Sequence, residues 1–274
     1  MSPAPLRKAV VLARGLGSRM RQADARVRLD QGQSAAADTG TKAMIPVGRP
    51  FLDYVLSALA DAGFTEICLV IGPEHGAIRR HYSKAPRPTR LRIGFAIQER
   101  PLGTADAVLA AERFAGGDHF AVVNSDNYYP ATALKALLHM GSAGLSVFRR
   151  STLVTLGNIP EERVRHYAVA AISRDGFLKH IIEKPDEATL AAQGGDPWIS
   201  MNCWRFSPGI FQACRESEIS PRGELELPRA VEYAMVTLGQ RFRAVPCKEG
   251  VLDLSTRADI EPVARRLKEI EVLL

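Results

Sequence analysis

Short apolar runs alternate with amphipathic segments through the first half of the chain. Segment 50–63 shows the helical pattern clearly, because Leu52, Val55 and Leu59 share one face and Gly63 stops the period. Strands separated by helices of this length form right-handed β-α-β units, so we expect a mostly parallel sheet. The predicted strands of this half are 8–12, 65–72, 91–98 and 119–124, and the predicted helices are 50–63, 74–82, 104–114 and 132–140.

The second half has a different pattern. Two apolar runs flank Asp175-Gly176, a pair typical of a tight β-hairpin turn. We expect further strands at 197–206 and 241–247 and helices at 225–238 and 257–274. With no linker and no internal repeat, the chain is predicted to form one domain, with two differently patterned halves at about 1–150 and about 151–274.

A polar stretch at 22–41, rich in Ala, Gln and Asp, interrupts the first half and has no apolar period. It is predicted to be a mobile loop beside the glycine turn that precedes it. We expect it to become ordered when a ligand binds, and a solvated loop that takes no part in binding is the alternative.

Composition places the chain among ordinary globular proteins. It has 274 residues, of which 46% are hydrophobic and 24% charged, and no segment approaches 18 uninterrupted apolar residues. A cytoplasmic location with no membrane partner is therefore the expectation. The four cysteines have neither a C-x-x-C pair nor metal-ligand spacing, which predicts reduced structural thiols.

Positive charge is concentrated at the start of the chain. Residues 1–28 hold seven basic residues and one acid, an excess equal to the net charge of +6 of the whole chain. A basic cluster around a glycine loop favours a small polyanionic ligand. A nucleic-acid surface would have a similar charge, but neither stacking aromatics nor a known binding module accompanies it, so no nucleic-acid partner is expected.

The string LARGLGSRM, residues 12–20, carries the most chemistry. Gly15 and Gly17 allow backbone amides to approach an anion, and Arg19 adds a guanidinium suited to phosphate. Met20 replaces the third glycine of a dinucleotide fingerprint, and the Lys-Ser/Thr of a P-loop is absent. From the loop alone, a plain strand-to-helix turn remains an equal alternative. Ligands of parallel sheets bind beyond the carboxyl ends of strands, where Gln98 and Asp126 also fall.

Six strings in one order resemble the sugar-phosphate nucleotidyltransferases, the NDP-sugar pyrophosphorylases. They are LARGLGSRM, TKAMIPVGRPFLDYVL, IQERPLGTADAV, VVNSDNYY, IIEKP and LDLST, and they extend over nearly the whole chain. The resemblance implies an α/β fold with a Rossmann-like mixed, mostly parallel sheet flanked by helices. It also implies transfer of a nucleotidyl group from an NTP to a sugar 1-phosphate, with release of pyrophosphate. On this resemblance the half at about 1–150 binds the nucleotide and the half at about 151–274 binds the sugar phosphate.

The same resemblance assigns roles to individual residues. Arg19 and Lys42 match the catalytic cations that contact the phosphates. The implied nucleotide-binding positions are Leu12, Ala13, Gly15, Gly17, Gln98, Gly103 and Thr104, with Gln98 and Gly103 at the base. The implied sugar-phosphate-binding positions are Ala168, Glu183, Lys184 and Asn202.

Asp126 and Asp253 match the two metal-binding aspartates of the family, and hard carboxylate ligands suit Mg²⁺. A turn or helix-cap role is the alternative for each, and it is serious for Asp253, which precedes a predicted helix. The reaction itself requires little proton transfer, because a sugar phosphate oxygen is already ionised when it attacks the α-phosphorus. Electrostatic positioning of two anions is then the main catalytic task.

The chain departs from the family pattern at four points. Arg14 stands where Gly or Ala is usual, Ser18 replaces Thr, Ser125 replaces Gly, and the gap from Arg19 to Lys42 is longer by roughly ten residues, beyond common loop lengths. None of these removes a charged group of the site. We therefore expect an active enzyme with a hexose 1-phosphate acceptor and UTP or dTTP as donor, and homo-oligomerisation is possible. A catalytically silent sugar-nucleotide-binding homologue is the alternative.

Overall fold

Apolar runs of five or six residues form the parallel strands at the centre of the fold. The computed structural model describes residues 6–84, 88–192 and 194–274. Its strands are β1 (Lys8–Leu12), β2 (Glu66–Ile71), β3 (Arg92–Ile97), β4 (Phe120–Asn124), β5 (Asn127–Tyr128), β6 (Gly144–Arg149), β7 (Ala168–Ile172), β8 (Leu178–Ile182), β9 (Trp198–Phe206), β10 (Arg243–Cys247) and β11 (Leu252–Asp253).

One large sheet runs through both halves of the chain in the order β10-β6-β9-β4-β1-β2-β3, with β7 and β8 joined to β9. The pairs β1–β2, β2–β3, β1–β4 and β6–β10 are parallel, whereas β9 is antiparallel to β4, β6 and β7. The predicted mixed, mostly parallel sheet is therefore confirmed. β5 and β11 form a small separate antiparallel pair.

Helices flank the sheet. They are α1 (Ser18–Arg21), α2 (Gln31–Thr39), α3 (Phe51–Ala62), α4 (Gly76–Ser83), α5 (Thr104–Ala110), α6 (Glu112–Ala115), α7 (Ala131–His139), α8 (Arg150–Thr155), α9 (Glu161–Val164), α10 (Glu187–Ala192), α11 (Ile210–Glu216), α12 (Leu227–Val236) and α13 (Ile260–Leu267). Among the helices that the described residues form, none is both long and apolar enough to cross a bilayer.

Consecutive residues of the central strands pack into different layers. Val11 and Leu69 belong to the apolar cluster that contains Leu56 of α3, whereas Val10 and Val70 belong to the cluster that contains α5 and α12. Side chains alternate across a strand, so both faces of the sheet are buried. This burial explains why the parallel strands are continuous apolar runs. All four cysteines are buried and unpaired, as predicted.

The loop prediction for 22–41 is wrong for α2, which occupies Gln31–Thr39. The Asp30 carboxylate accepts from the Gln33 backbone N–H at 2.7 Å, and the Gln33 side chain accepts from the Asp30 N–H at 3.3 Å. This capping box and a run of alanines form a helix without an apolar stripe. Ala37 alone is buried in it.

Three further predictions need correction. The last helix ends at Leu267, so the predicted span of 257–274 is too long. The predicted helix 104–114 divides into α5 and α6 at Ala111. Strand β6 and helices α8, α9, α10 and α11 were not predicted. The hairpin prediction is confirmed, because β7 and β8 are antiparallel and Gly176 has φ +81° in the turn.

Candidate active site

The carboxyl ends of β1, β3 and β4 border one cavity of about 430 Å³. Its position follows the rule for parallel sheets, because the loops after these strands converge at the same edge. The predicted site residues on its wall are Leu12, Ala13, Gly15, Gly17, Arg19, Lys42, Gln98, Gly103, Thr104, Asp126 and Asn202.

The glycine loop connects β1 to α1. Gly17 has φ +60°, and a β-carbon there would lie 2.1 Å from the carbonyl oxygen of Gly40, so the loop requires glycine at this position. The exposed Arg19 side chain follows one residue into α1 and lines the cavity. The loop and the guanidinium therefore share one cavity wall, which is the arrangement that the predicted anion site requires.

Arg14 lies on the cavity wall and is paired with Glu74. Its Nε and Nη2 donate to the two carboxylate oxygens of Glu74 at 3.2 and 3.4 Å, and its side chain is 6% exposed. Glu74 follows β2, on the side of β1 opposite to β4 and Asp126. The ion pair explains how the chain accommodates an arginine at position 14, where the family pattern has Gly or Ala.

Ser125 is compatible with the backbone at its position. Its N–H donates to the Leu12 carbonyl at 3.1 Å, and it is not among the described residues with positive φ. Glycine is therefore not required beside Asp126 in this chain.

Lys42 and Asp126 form an ion pair on the cavity wall. The Lys42 Nζ lies 2.5 Å from the Asp126 Oδ2, and the two side chains are 17% and 23% exposed. Burial lowers the pKa of Lys42, but the charge and hydrogen bond of Asp126 outweigh it, and the net pKa is raised. Lys42 is thus held as a cation where an anionic ligand would enter.

Asp253 is buried next to this pair. Its Oδ1 accepts from the Asn127 side chain at 2.8 Å, and Arg163 lies 3.2 Å from its Oδ2. The Asn158 side chain binds both the N–H and the carbonyl of Asp253, at 2.7 and 2.8 Å. Burial and the charge of Asp126 raise the pKa of Asp253, and Arg163 opposes them. Asp253 is fixed in the fold and is not a helix cap.

The two aspartates are suited to a divalent cation. The Leu254 N–H donates to the Asp126 carbonyl at 2.9 Å, which brings the two aspartates together at the β5–β11 pair. Among the described residues the buried Oδ2 of Asp253 has the ion-pair contact with Arg163 but no hydrogen bond. Within the described residues no group of three or more His, Cys, Asp or Glu could hold a metal. Mg²⁺ commonly takes only one or two protein carboxylates and completes its shell with phosphates and water, so these residues fit it.

The amide group of Gln98 has a fixed orientation. Its Nε2 donates to the Gly103 carbonyl at 3.0 Å and to the Asp106 carboxylate at 2.7 Å. Both partners are acceptors, so they require the nitrogen on their side. The oxygen of Gln98 is left as the hydrogen-bond acceptor for a ligand.

The structure separates the four residues predicted to bind the sugar phosphate. Asn202 lines the cavity, but Ala168, Glu183 and Lys184 do not. Lys184 and Asn202 are the two described non-glycine residues with positive φ, at 45° and 55°. Such conformations cost on the order of 1–3 kcal/mol and concentrate at functional sites.

The pKa of Glu183 is affected by other acidic residues, one of which lies on the cavity wall. Burial raises the pKa of Glu183 to about 7, and the charges of Glu226 and Glu224 add to this effect, whereas Lys184 and Arg222 oppose it. Glu224 is on the cavity wall. The charges of Glu183, Glu224 and Glu226 therefore influence one another.

Four residues of the site were not predicted: Asp106, Asn158, Arg163 and Glu224. Asp106 follows Gly103 in the first turn of α5, so its proximity to Gln98 could have been inferred from spacing. Asn158 and Arg163 lie about 90 residues before Asp253, and no local pattern indicates that they meet it.

The chain belongs to the nucleotidyl transferase family, whose model matches residues 36–250. The match starts after the glycine loop and covers the segments that carry Lys42, Gln98 and Asp126. Family membership thus rests on more than the N-terminal motif. Sugar nucleotidyltransferases generally depend on a divalent metal.

Curated relatives and solved structures extend this finding. The chain is 28% identical over 230 residues to the low-salt glycan biosynthesis nucleotidyltransferase Agl11 of Haloferax volcanii, covering 82% of this chain and 56% of the relative. It is 29% identical over 265 residues to glucose-1-phosphate thymidylyltransferase of Streptomyces antibioticus, covering 96% and 66%. It therefore spans less than two thirds of the length of these two relatives.

A relative of similar length also matches. The UTP–glucose-1-phosphate uridylyltransferase AglF of Haloferax volcanii is 25% identical over 263 residues, covering 96% of this chain and 97% of the relative. Among solved structures, a UDP-glucose pyrophosphorylase complexed with UDP-glucose superposes with a TM-score of 0.72 at 18% identity, covering 97% and 100% of the two chains. That likeness shows the Rossmann-like nucleotidyltransferase fold.

Proposed function

We propose that this protein transfers UMP or dTMP from UTP or dTTP to a hexose 1-phosphate, releasing pyrophosphate and forming an NDP-sugar. The observation that carries the proposal is the Lys42–Asp126 ion pair, which stands in one cavity with the glycine loop and Gln98. A cation, a carboxylate and an anion-binding loop are what an in-line displacement at an α-phosphorus needs.

Charge neutralisation is the main catalytic contribution of these residues. Arg19 and Lys42 hold the triphosphate against an anionic acceptor, which overcomes the repulsion between two negative reactants. Negative charge moves toward the leaving pyrophosphate during the displacement, and Lys42 stabilises it there. The acceptor oxygen is ionised before it attacks, so no side chain has to remove a proton.

A divalent cation, most simply Mg²⁺, is proposed to bind at Asp126 and Asp253. It would supply further positive charge beside the reacting phosphate when bound. The role of the chain is to position the two carboxylates: Asn127, Asn158 and Arg163 hold Asp253, and Lys42 contacts Asp126.

The orientation of Gln98 supports a uracil or thymine base. Its side-chain oxygen is the group available to a ligand, since Gly103 and Asp106 engage its nitrogen. An acceptor matches the N3–H of uracil or thymine, and because other bases also carry N–H donors, the preference among bases is taken from the matched relatives. The matched thymidylyl- and uridylyltransferases agree with this preference.

The acceptor side is proposed to bind a hexose 1-phosphate. Glu183 would accept hydrogen bonds from sugar hydroxyls, and Lys184 would contact the phosphate. The positive φ of Lys184 and Asn202 supports a binding role, because such backbone is retained where its surroundings demand it. The matched glucose-1-phosphate enzymes support a hexose.

The test is a panel of UTP, dTTP, CTP, ATP and GTP against several sugar 1-phosphates, with pyrophosphate release as the readout. We expect turnover with UTP or dTTP and a hexose 1-phosphate, with Mg²⁺ required. Lys42→Met should abolish it, and Lys179→Met, on the exposed edge of β8, is the matched control. Nucleotide binding without turnover for every pair would instead favour a catalytically silent homologue.

A further inference from the structure

A second cavity of about 800 Å³ lies beside the proposed active site. It is bordered by the segment after α1, by the end of α9 and by the short turn that leads into α13. Arg19 belongs to the walls of both cavities. The arginines that line the second cavity are Arg19, Arg26, Arg163, Arg165 and Arg257, and His166 lies among them.

Some of these cations are already neutralised within the described part of the chain. Arg26 is paired with Asp24 at 2.9 Å, and Arg163 with Asp259 at 2.9 Å. Arg257 pairs with Asp38, which lies outside the cavity wall.

The remaining groups leave an excess of positive charge. Arg19, Arg165 and His166 have no ion-pair partner among the described residues, and Glu162 is the one lining carboxylate that is not engaged in an ion pair there. Burial lowers the pKa of His166, and the nearby charges of Arg19, Arg165, Lys184 and Arg163 lower it further. Positive potential thus converges at His166, which is what an anion site requires.

We infer that this second cavity is a binding site for an anion of the phosphate class, held by Arg19, Arg165 and His166. Arginine forks and a histidine N–H are the donors that match phosphate oxygens. Nothing in the proposed reaction requires Arg165 or His166, so the site extends beyond the proposed function.

The site is linked to the nucleotide cavity by two residues. Arg19 can direct its guanidinium to one anion or the other. Arg163 lines the second cavity and also contacts Asp253 at 3.2 Å. An anion bound in the second cavity therefore draws on Arg19 and Arg163, which also serve the nucleotide site. Each ligand should lower the binding affinity of the other.

Two sources could supply this anion: the pyrophosphate released by the proposed reaction, or a separate phosphate ligand from the medium. The chemistry of recognition is the same for both. Kinetics distinguish them, because only a leaving-group site contributes to the KM for pyrophosphate in the reverse direction.

The binding test uses isothermal titration calorimetry with inorganic phosphate and with pyrophosphate, on protein freed of metal by a chelator. Arg165→Ser is the variant, and Arg174→Ser, which removes an equally exposed arginine at the hairpin turn, is the control. We expect Arg165→Ser to weaken binding about tenfold or more, as loss of a charge-assisted hydrogen bond implies, and the control to match the wild type. A perturbed His166 Cε1–H resonance on titration locates the anion in this cavity.

Kinetic measurements assign the source. A raised KM for pyrophosphate in Arg165→Ser identifies a leaving-group site, whereas loss of inhibition by inorganic phosphate with that KM unchanged identifies a separate ligand. Wild-type affinity for both anions in Arg165→Ser, or no binding to the wild type, would overturn the inference. The calorimetry requires no turnover, so its outcome is independent of whether the proposed function holds.

Discussion

Gly17 and Gly40 meet backbone to backbone. A β-carbon on Gly17 would lie 2.1 Å from the Gly40 oxygen, and one on Gly40 would lie 2.7 Å from the Leu16 oxygen. The Gly40 carbonyl also accepts from the Lys42 N–H at 2.9 Å. This contact joins the glycine loop, the end of α2 and the lysine of the site into one unit, so the long insertion supports the phosphate site directly.

Gly40→Ala should therefore raise the KM for NTP by more than its loss of folding stability accounts for. Alanine at φ +73° costs about 1 kcal/mol of unfolding free energy, and contact with Leu16 then displaces the glycine loop. Gly141→Ala is the matched control, because φ is +72° there and nothing lies within 4 Å. Melting temperature and the KM for NTP are the measurements. Equal KM values in the two variants would show that the Gly17–Gly40 contact has no role in the site.

Lys42→Ala should lower kcat more than it raises the KM for NTP. Charge moves toward pyrophosphate in the transition state, so the ammonium of Lys42 is more useful there than in the ground state. A loss of about 10²–10³ in kcat is expected, as for other electrostatic stabilisers. Steady-state kinetics check this, with Lys179→Ala as control. If KM changed while kcat stayed the same, Lys42 would contribute to NTP binding and not to stabilising the transition state.

Asp126→Asn should retain the fold and reduce turnover by about 10²–10³, because the carboxylate both pairs with Lys42 and is proposed to hold the metal. Excess Mg²⁺ should restore little. Asp118→Asn, at an exposed position, serves as control. Circular dichroism checks the fold, and the rate is measured as a function of Mg²⁺ concentration. Near-wild-type turnover in the variant would show that Asp126 is not a metal ligand.

Local sequence patterns were sufficient for much of the fold. The apolar run of β1 and the amphipathic spacing of α3 each depend on neighbouring residues, and both are observed at the predicted positions. Helix α2 was missed because its stability depends on the Asp30 cap and on the ion pair of Asp38 with Arg257, which is distant in sequence. Amphipathic periodicity does not report either interaction.

The site could be predicted in part for the same reason. Lys42, Gln98 and Asp126 occur in short motifs, the last two just after strands, and all three line one cavity. Asn158 and Arg163 hold Asp253 across the fold, and only the tertiary structure brings them together. Supporting residues of this kind have no fixed spacing to the residue they position.

The acceptor affinity should depend on pH through Glu183. Burial raises the pKa of Glu183 from its ordinary value of 4.5 to about 7, so the protonated form dominates below neutral pH. Sugar hydroxyls need the ionised acceptor. At pH 6 only about one tenth is ionised, and the apparent KM for the sugar phosphate should be about tenfold higher than at pH 8. Glu183→Gln should remove this pH dependence. If KM changed with pH in that variant as it does in the wild type, the dependence would belong to ionisation of the substrate.

The segment 22–41 should exchange amide hydrogens more slowly when nucleotide binds. Its ends are Arg19 and Lys42, both on the cavity wall, so a bound triphosphate would hold both. Residues 31–39 already form α2, whose backbone is hydrogen-bonded, and the largest change is therefore expected in 22–30. Hydrogen-exchange mass spectrometry with and without Mg²⁺-NTP is the measurement. Segment 174–176, in the distant hairpin turn, is an internal control that should not change. Unchanged exchange throughout 22–41 at nucleotide saturation would leave this insertion a static support for the glycine loop.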